Sequence, residues 1–257
     1  YAVGLALDGA DNIYLADDTE RSWQRPIQIY QHQPTGTTIL QTDTPGYSVR
    51  ELAADHEGNL WTYSTSTGEI LRKPLNGIWS PVAGGGRNEI KDGKGNHARI
   101  ADARSLKTDS LGDCYFLDHL NDNNDDVQEC FIRKISSDGT VTTVSRNLAT
   151  KITSNDNTYV RYPLSLDIGG NGMFYITDLS SIRLIDNEGN QTIIGGNPVS
   201  AGTQDGIGDQ ARFNSPDNIT IDRSQNIYVT NYFGITIRKG ELLGYIPGIA
   251  SQPQSQI

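Results

Sequence analysis

Short apolar runs separated by turns rich in Gly, Asn and Asp fill most of the chain. One pattern occurs five times: an apolar triplet that ends in Asp, a turn, and then an apolar run around an aromatic residue. The aspartates that end the triplets are Asp8, Asp55, Asp109, Asp167 and Asp222, and successive ones are 47 to 58 residues apart. Runs of this length between such turns predict β-strands, and a repeat of this period predicts propeller blades of four strands.

The later copies also show the third and fourth strands of a blade. In the fourth copy, the run 181–185 is followed by a tight turn and then by the run 191–194. The inner strands are apolar on both faces, as expected for blades that lie between neighbouring blades. The prediction is an all-β β-propeller of four-stranded antiparallel blades over residues 1–250, followed by a polar C-terminal tail at 251–257. Five blades are predicted from the five copies, with six as the alternative.

The repeat resembles that of the NHL family of β-propellers. The resemblance rests on the segment Asn226–Asn231, on Arg-containing third strands such as 131–135, and on two related loops at 92–100 and 205–213. Membership of this family implies a propeller that usually has six blades and serves many functions, RNA binding among them. Related six-bladed propellers hold calcium at the channel mouth and act on lactones, esters or peptidyl derivatives.

Charge and composition narrow the function. The chain has 21 Lys and Arg against 31 Asp and Glu, a net charge of −10, and no run of basic residues. We therefore expect no nucleic-acid partner, since an acidic surface repels phosphate backbones. No apolar stretch approaches the roughly 20 residues that cross a bilayer, so no membrane insertion is expected. Acidity and only two cysteines, predicted to be free thiols, suit an extracytoplasmic, bacterial type of surface or secreted protein.

Loop lengths predict which face of the propeller binds a ligand. The turns within hairpins on one face are short, whereas the loops and blade connections on the other face are long, and binding residues collect on long loops of rigid scaffolds. The long-loop face should carry aromatic residues among many Asp and Asn, a mixture that suits a glycan or a peptide. These aromatic residues are Trp23, Tyr47, Tyr159, Tyr162, Tyr232 and Phe233.

An acidic insertion in the third copy is a candidate metal site. Asp122, Asn124 and Asp126 have the alternate spacing of calcium ligands, and His97 and His119 are expected beside them. The loop lacks the turn glycine and the bidentate Glu of a calcium loop, so a solvated acidic loop is the alternative to Ca²⁺ binding. No other cofactor is expected.

The remaining polar residues of the repeat are predicted to be structural. We expect the repeated aspartates to form turns. Asp17, Asp118 and Asp178 are expected in ion pairs or hydrogen bonds, together with Arg133, Arg183 and Arg238. The sequence has no Gly-x-Ser-x-Gly elbow, phosphate loop or His-Glu-x-x-His motif.

The sequence therefore predicts a non-enzymatic recognition module for a protein or glycan ligand, one domain of a larger surface or secreted protein. One alternative is a calcium-dependent hydrolase or lyase, with Asn231 and the strand-end aspartates at the channel mouth. A purely architectural spacer is the other.

Overall fold

The computed structural model describes residues 2–17, 27–41, 45, 48–86, 89–121, 128–154, 157–232 and 236–242. Within these residues the chain is almost entirely β-structure, with two short 3₁₀ turns at Gly95–His97 and Gly208–Gln210. Contacts between residues divide it into two compact units, Tyr1–Asp122 with Phe131–Val144 and Asn123–Cys130 with Ser145–Ile257. Within the described residues none of the helices has the length or apolar character that crossing a membrane would take.

Three antiparallel sheets form the described part of the first unit, and their strands follow chain order except for the first strand of the third sheet, which pairs with the last strand of that sheet. The first sheet contains β1 (Ala2–Leu7), β2 (Ile13–Asp17), β3 (Gln28–His32) and β4 (Thr38–Gln41). The second contains β5 (Val49–Ala54), β6 (Leu60–Ser64), β7 (Glu69–Lys73) and β8 (Ser80–Gly84). The short strand β9 (Gly93–Lys94) lies on the outer edge of the third sheet. That sheet continues with β10 (Ala103–Thr108), β11 (Cys114–Asn121), β12 (Gln128–Ile135, whose first three residues belong to the second unit) and β13 (Thr140–Ser145).

The described part of the second unit contains a hairpin and two further sheets. The hairpin is formed by β14 (Thr150–Ser154) and β15 (Asn157–Arg161). The fourth sheet contains β16 (Leu166–Ile168), β17 (Phe174–Asp178), β18 (Ser181–Ile185) and β19 (Gln191–Gly196). The fifth has three strands among the described residues, β20 (Pro216–Ile221), β21 (Ile227–Asn231) and β22 (Ile237–Gly240). We call the five sheets blades 1 to 5.

The second strands of blades 2 and 4 are buried on both faces. Every residue of β6 and of β17 is buried. In the first unit, Trp61 and Tyr63 of β6 lie in one core with Phe116 of blade 3. In the second unit, Tyr175 of β17 packs with Ile219 of blade 5. Each of these cores therefore joins consecutive blades, which is why the strands read as continuous apolar runs.

A five-residue turn closes the first hairpin of the blades. At Asp8 the backbone N–H donates to the carbonyl of Asn12, and Asp8 Oδ1 accepts the N–H groups of Ala10 and Asn12 at 2.9 and 3.0 Å. The same bonds recur at Asp55, Asp109 and Asp222. The prediction that the repeated aspartates form turns is confirmed at these four positions.

Blade 4 departs from this prediction. Its turn is closed by Gly169, whose N–H donates to the carbonyl of Met173, and Asp167 lies two residues earlier, within β16. Asp167 Oδ2 instead accepts the Ile221 N–H at 2.7 Å and the Thr220 hydroxyl at 2.9 Å, both in β20. The turn assignment of Asp167 was therefore wrong: this carboxylate ties blade 4 to blade 5.

Candidate functional site

The first strands of blades 2 and 3 are irregular where long connections enter them. The pairing register shifts after Arg50 in β5 and after Arg104 in β10. Within these bulges Glu51 and Ser105 have φ angles of 63° and 52°. Such a backbone costs a residue other than glycine about 1–3 kcal/mol, and it is concentrated at functional sites. The ends of β5 and β10 are therefore a candidate site.

Two arginines converge on one aspartate at these strand ends. Arg50 Nη1 donates to both carboxylate oxygens of Asp102, at 3.0 and 3.2 Å. Arg104 Nε and Nη2 donate to Asp102 Oδ2, at 3.0 and 2.9 Å. Arg50 belongs to blade 2, whereas Asp102 directly precedes β10 of blade 3. We call these three residues the Arg–Asp–Arg cluster.

A second carboxylate stands beside the cluster. Burial raises the pKa of Glu51, although Lys107, the two cluster arginines and the N–H of Ser105 all act to lower it. The carbonyl of Glu51 accepts the Thr62 hydroxyl at 2.7 Å, which fixes the strained backbone. The strand ends thus bring together three cationic and two acidic side chains within one unit.

A buried ion pair between Asp118 and Arg133 holds the backbone of Asp102 in place. Asp118 Oδ1 accepts the N–H groups of Ala101 and Asp102 at 2.9 and 3.1 Å, while Oδ2 accepts Arg133 Nη1 at 2.8 Å. Both side chains of the pair are 0% exposed. Burial raises the pKa of Asp118 to about 7, against the opposing effects of Arg133 and the two N–H groups. The N–H of His119 donates to the carbonyl of Asp102, so the backbone of Asp102 is held on both sides.

The three repeated arginines have the structural role that the sequence predicts. Arg133 pairs with Asp118, and Arg183 Nη2 lies 3.3 Å from Asp178 Oδ2. Arg238 pairs instead with Asp205 at 2.7 Å. The prediction of ion pairs for Asp118 and Asp178 is confirmed.

The two related loops at 92–100 and 205–213 are held by these arginines in the same way. Arg133 Nη2 donates to the carbonyl of Lys91 at 3.0 Å and lies 3.1 Å from Asp92. Arg238 Nη2 donates to the carbonyl of Gln204 at 3.1 Å. The later parts of both loops are buried through Ala98, Ile100, Ala211 and Phe213. Long connections that the sequence assigns to the binding face are thus partly structural.

The predicted aromatic residues are only partly described. Trp23, Tyr47 and Phe233 lie outside the described residues, and so does the side chain of Tyr159, whose backbone pairs with Ile152. Tyr162 is half-buried ahead of β16. Tyr232 follows β21, is 69% exposed, and donates its N–H to the carbonyl of Ser215, where φ is 52°. Tyr162 and Tyr232 therefore occupy the long-loop ends of blades 4 and 5.

Only two of the five predicted metal ligands, His97 and His119, lie within the described residues. Asp122, Asn124 and Asp126 lie outside the described residues. His97 is exposed in the first 3₁₀ turn, and His119 is buried in β11. The described residues contain no group of three or more His, Cys, Asp or Glu side chains that could hold a metal ion. Cys114 and Cys130 are buried free thiols, and burial raises the pKa of Cys114.

Sequence reasoning missed the Arg–Asp–Arg cluster. Arg50 and Arg104 each stand five residues before the turn aspartate of their repeat, which is a positional signal in the sequence. Asp102 lies 52 residues from Arg50 and belongs to no motif, so only the fold brings the two together.

Comparisons with known proteins bear on the fold. No family model matches the chain, and no curated protein matches it. Among solved structures, it is similar to a Bacteroides thetaiotaomicron protein of unknown function, with TM-score 0.65, 16% identity, and coverage of 100% of this chain and 59% of that one. It is also similar to an auxiliary nutrient binding protein from Bacteroides ovatus, with TM-score 0.59, 14% identity, and coverage of 93% and 58%.

Virginiamycin B lyase from Staphylococcus aureus is a third similar structure, with TM-score 0.54, 14% identity, and coverage of 93% of this chain and 66% of that one. The chain thus spans 58 to 66% of the length of these three proteins. At such identities the likeness shows the fold alone. Together with the described sheets, it shows that the chain is an all-β protein of the β-propeller class with five antiparallel blades, as its repeats predict.

Proposed function

We propose that this chain is a non-enzymatic recognition module of the NHL type that binds a protein or glycan ligand at the long-loop ends of its blades. The likeness to an auxiliary nutrient binding protein supports a binding role. The net charge of −10 and the two free thiols suit an extracytoplasmic place within a larger surface or secreted protein. Neither membrane insertion nor nucleic-acid binding is part of the proposal.

The coincidence of strained backbone with accessible side chains carries this proposal. Of the seven described residues other than glycine that have a positive φ, four lie where long connections enter the first strands: Ser48, Glu51, Ser105 and Ser215. The exposed ring of Tyr232 stands beside one of them, and the guanidiniums of Arg50 and Arg104 stand beside two others. A fold maintains such strain only where the surroundings impose it, most often at binding sites. An aromatic ring among polar groups suits a sugar or a peptide.

Glycan binding tests the proposal most directly. The chain is screened against immobilised neutral and acidic glycans, and the strongest binder is measured again with Tyr232→Ala. We expect the variant to weaken binding about three- to tenfold, the loss of one ring contact of about 0.5–1.5 kcal/mol. Leu111→Ala is the matched control, because Leu111 is 82% exposed but lies in the short turn before β11. Equal losses in the two variants would contradict binding at the long-loop ends.

A metal-dependent lyase or hydrolase is the second candidate, favoured by the likeness to virginiamycin B lyase. This candidate predicts that millimolar calcium raises the thermal midpoint above its value in EDTA. A site at hundredfold saturation adds about 2.7 kcal/mol, or about 5–10 °C in thermal midpoint for a chain of this size. It also predicts that quinupristin, the compound bound in a related lyase structure, changes its chromatographic retention after incubation with the chain. We expect neither effect.

A further inference from the structure

The Arg–Asp–Arg cluster is a locally positive spot on an acidic protein. Arg50, Arg104 and Lys107 face the carboxylates of Glu51 and Asp102, so the strand ends carry three positive and at most two negative charges. The chain as a whole has a net charge of −10. The local excess of positive charge at the strand ends attracts a negatively charged group of a ligand, although the protein as a whole is acidic.

The two guanidiniums have hydrogen-bonding capacity to spare. Arg50 reaches Asp102 with Nη1, and Arg104 reaches it with Nε and Nη2. Within the described residues, Arg50 Nε and Nη2 and Arg104 Nη1 bond to no protein group. The side chains of Arg50, Arg104 and Asp102 are 42%, 30% and 23% exposed, so a ligand can reach them. One bidentate arginine is enough to pair with a carboxylate. The charge of Asp102 therefore does not explain why both Arg50 and Arg104 are present.

The cluster is also ordered before any ligand arrives. Asp102 is held by Asp118 and by the N–H of His119, and its carboxylate in turn fixes both guanidiniums. An arginine that is already in place loses little side-chain entropy when it binds a ligand, and this increases the affinity. A flexible surface arginine has no such advantage.

We propose that the Arg–Asp–Arg cluster is a subsite for the carboxylate of an acidic sugar. The inference rests on the proposed recognition function and specifies the class of its ligand. A planar carboxylate matches the fork of N–H groups on Arg50 and Arg104. The excess of at least one positive charge suits a monoanion, whereas Asp102 would repel a phosphate dianion more strongly.

Two sugars that differ in one group test this proposal. The isotope-labelled chain is titrated with methyl glucuronide and with methyl glucoside, which carry a carboxylate and a hydroxymethyl group at the same carbon. Binding is followed by shifts of the backbone amide resonances. We expect the glucuronide to move the resonances of residues 50–51 and 102–105 and to bind about tenfold or more tightly than the glucoside, as charge-assisted hydrogen bonds should.

Variants locate the effect. Arg50→Gln and Arg104→Gln should each weaken glucuronide binding about tenfold or more, without changing the affinity for the glucoside. Arg223→Gln removes the same charge from an exposed residue in the short turn of blade 5 and should leave both affinities unchanged. Arg50→Lys keeps the charge without the fork and should restore only part of the binding. If Arg104→Gln does not fold, the two substitutions at Arg50 still decide the matter.

Failure of the subsite and failure of the recognition function give different results. Equal affinities for the two sugars, or glucuronide binding that withstands both substitutions at Arg50, would overturn the carboxylate subsite. If Tyr232→Ala then still weakens glucoside binding about three- to tenfold, the recognition function stands. If neither sugar and no immobilised glycan binds, both proposals fail for glycans.

Discussion

Replacing Arg133 by methionine should be among the most damaging single changes in the first unit. Its guanidinium lies 2.8 Å from Asp118 Oδ2, and both side chains are fully buried. Methionine fills much of the same space but leaves the Asp118 carboxylate in the protein interior without its counter-ion. Breaking a buried pair from one side typically costs about 3–5 kcal/mol.

Arg238→Met is the matched comparison, because Arg238 occupies the corresponding position in blade 5. Both arginines donate to two backbone carbonyls of the preceding connection, Arg133 to Lys91 and Arg99 and Arg238 to Gln204 and Arg212. The loss of those bonds is therefore common to the two variants. Each variant also leaves one exposed carboxylate that can be hydrated, Asp92 at 46% and Asp205 at 40% exposure. Arg133→Met differs in that it also leaves Asp118, which is buried. We expect about 1–3 kcal/mol for Arg238→Met, so the excess for Arg133→Met is about 2 kcal/mol.

Urea denaturation of the two variants measures this difference, and its pH dependence identifies the cause. Burial raises the pKa of Asp118 to about 7, and removing Arg133 raises it further. Between the unfolded value of 3.8 and the raised value, the folded state binds more protons than the unfolded chain. The free energy of unfolding therefore increases as pH falls through this window, so Arg133→Met should lose less stability near pH ~5 than near pH ~8. Equal losses for the two variants, or a loss independent of pH, would refute the argument.

Three further predictions concern turns and blade contacts. Gly196→Ala should destabilise by about 3 kcal/mol or more in urea denaturation, because φ is 88° and the added Cβ would lie 2.4 Å from a carbonyl oxygen. Gly36→Ala, with φ of 89° and open space around it, should cost only the backbone strain of about 1–2 kcal/mol. Burial raises the pKa of Asp8, but the hydrogen bonds that its carboxylate accepts have the larger effect, so the pKa is lowered overall. The hydrogen bond from the Asn226 side chain lowers the pKa of Asp222. The stability that these two carboxylates contribute is present above their unfolded pKa of 3.8 and is lost as the pH falls through their folded pKa values. The double variant Asp8→Asn with Asp222→Asn should therefore show a smaller fall of the thermal midpoint at acid pH. Asp167→Ala should cost about 1–3 kcal/mol in urea denaturation, since it leaves the Ile221 N–H without its acceptor.

Much of the fold follows from the sequence, because strand and turn signals repeat in register. Four of the five predicted turn aspartates form the expected turn. Asp167 misled the prediction because it lies two residues from the true turn position. Side chains alternate between the faces of a strand with a period of two, so a shift of two residues keeps every apolar residue on its predicted face. The actual turn at Gly169 lacks the aspartate that marks the others.

The candidate site could not be predicted to the same extent. The sequence predicts the ion pairs of Arg133, Arg183 and Arg238, because a residue that recurs in successive repeats indicates a structural role. The approach of Arg50 to Asp102 depends on the packing of β5 beside the segment that enters β10, and on the bulges that turn these side chains. No short motif encodes such a contact. The exposure of Tyr232 agrees with the prediction of accessible aromatics, but its part in binding is still a prediction.

Recurrence separates the residues that the fold requires from those it does not. Blades 3, 4 and 5 carry an arginine in the third strand, and each of these arginines pairs with a carboxylate. The position five residues before the turn behaves differently. It is occupied in blades 1 to 5 by Val3, Arg50, Arg104, Leu164 and Asp217. A residue that the blade needed at this place would recur, so the fold does not demand arginine there. Two guanidiniums drawn together repel each other, and Asp102, fixed through Asp118 by the structural Arg133, offsets that repulsion. The fold therefore requires the Arg133–Asp118 pair but does not require the Arg–Asp–Arg cluster that stands on it. We expect this relation of a binding site that is added to a repeat scaffold.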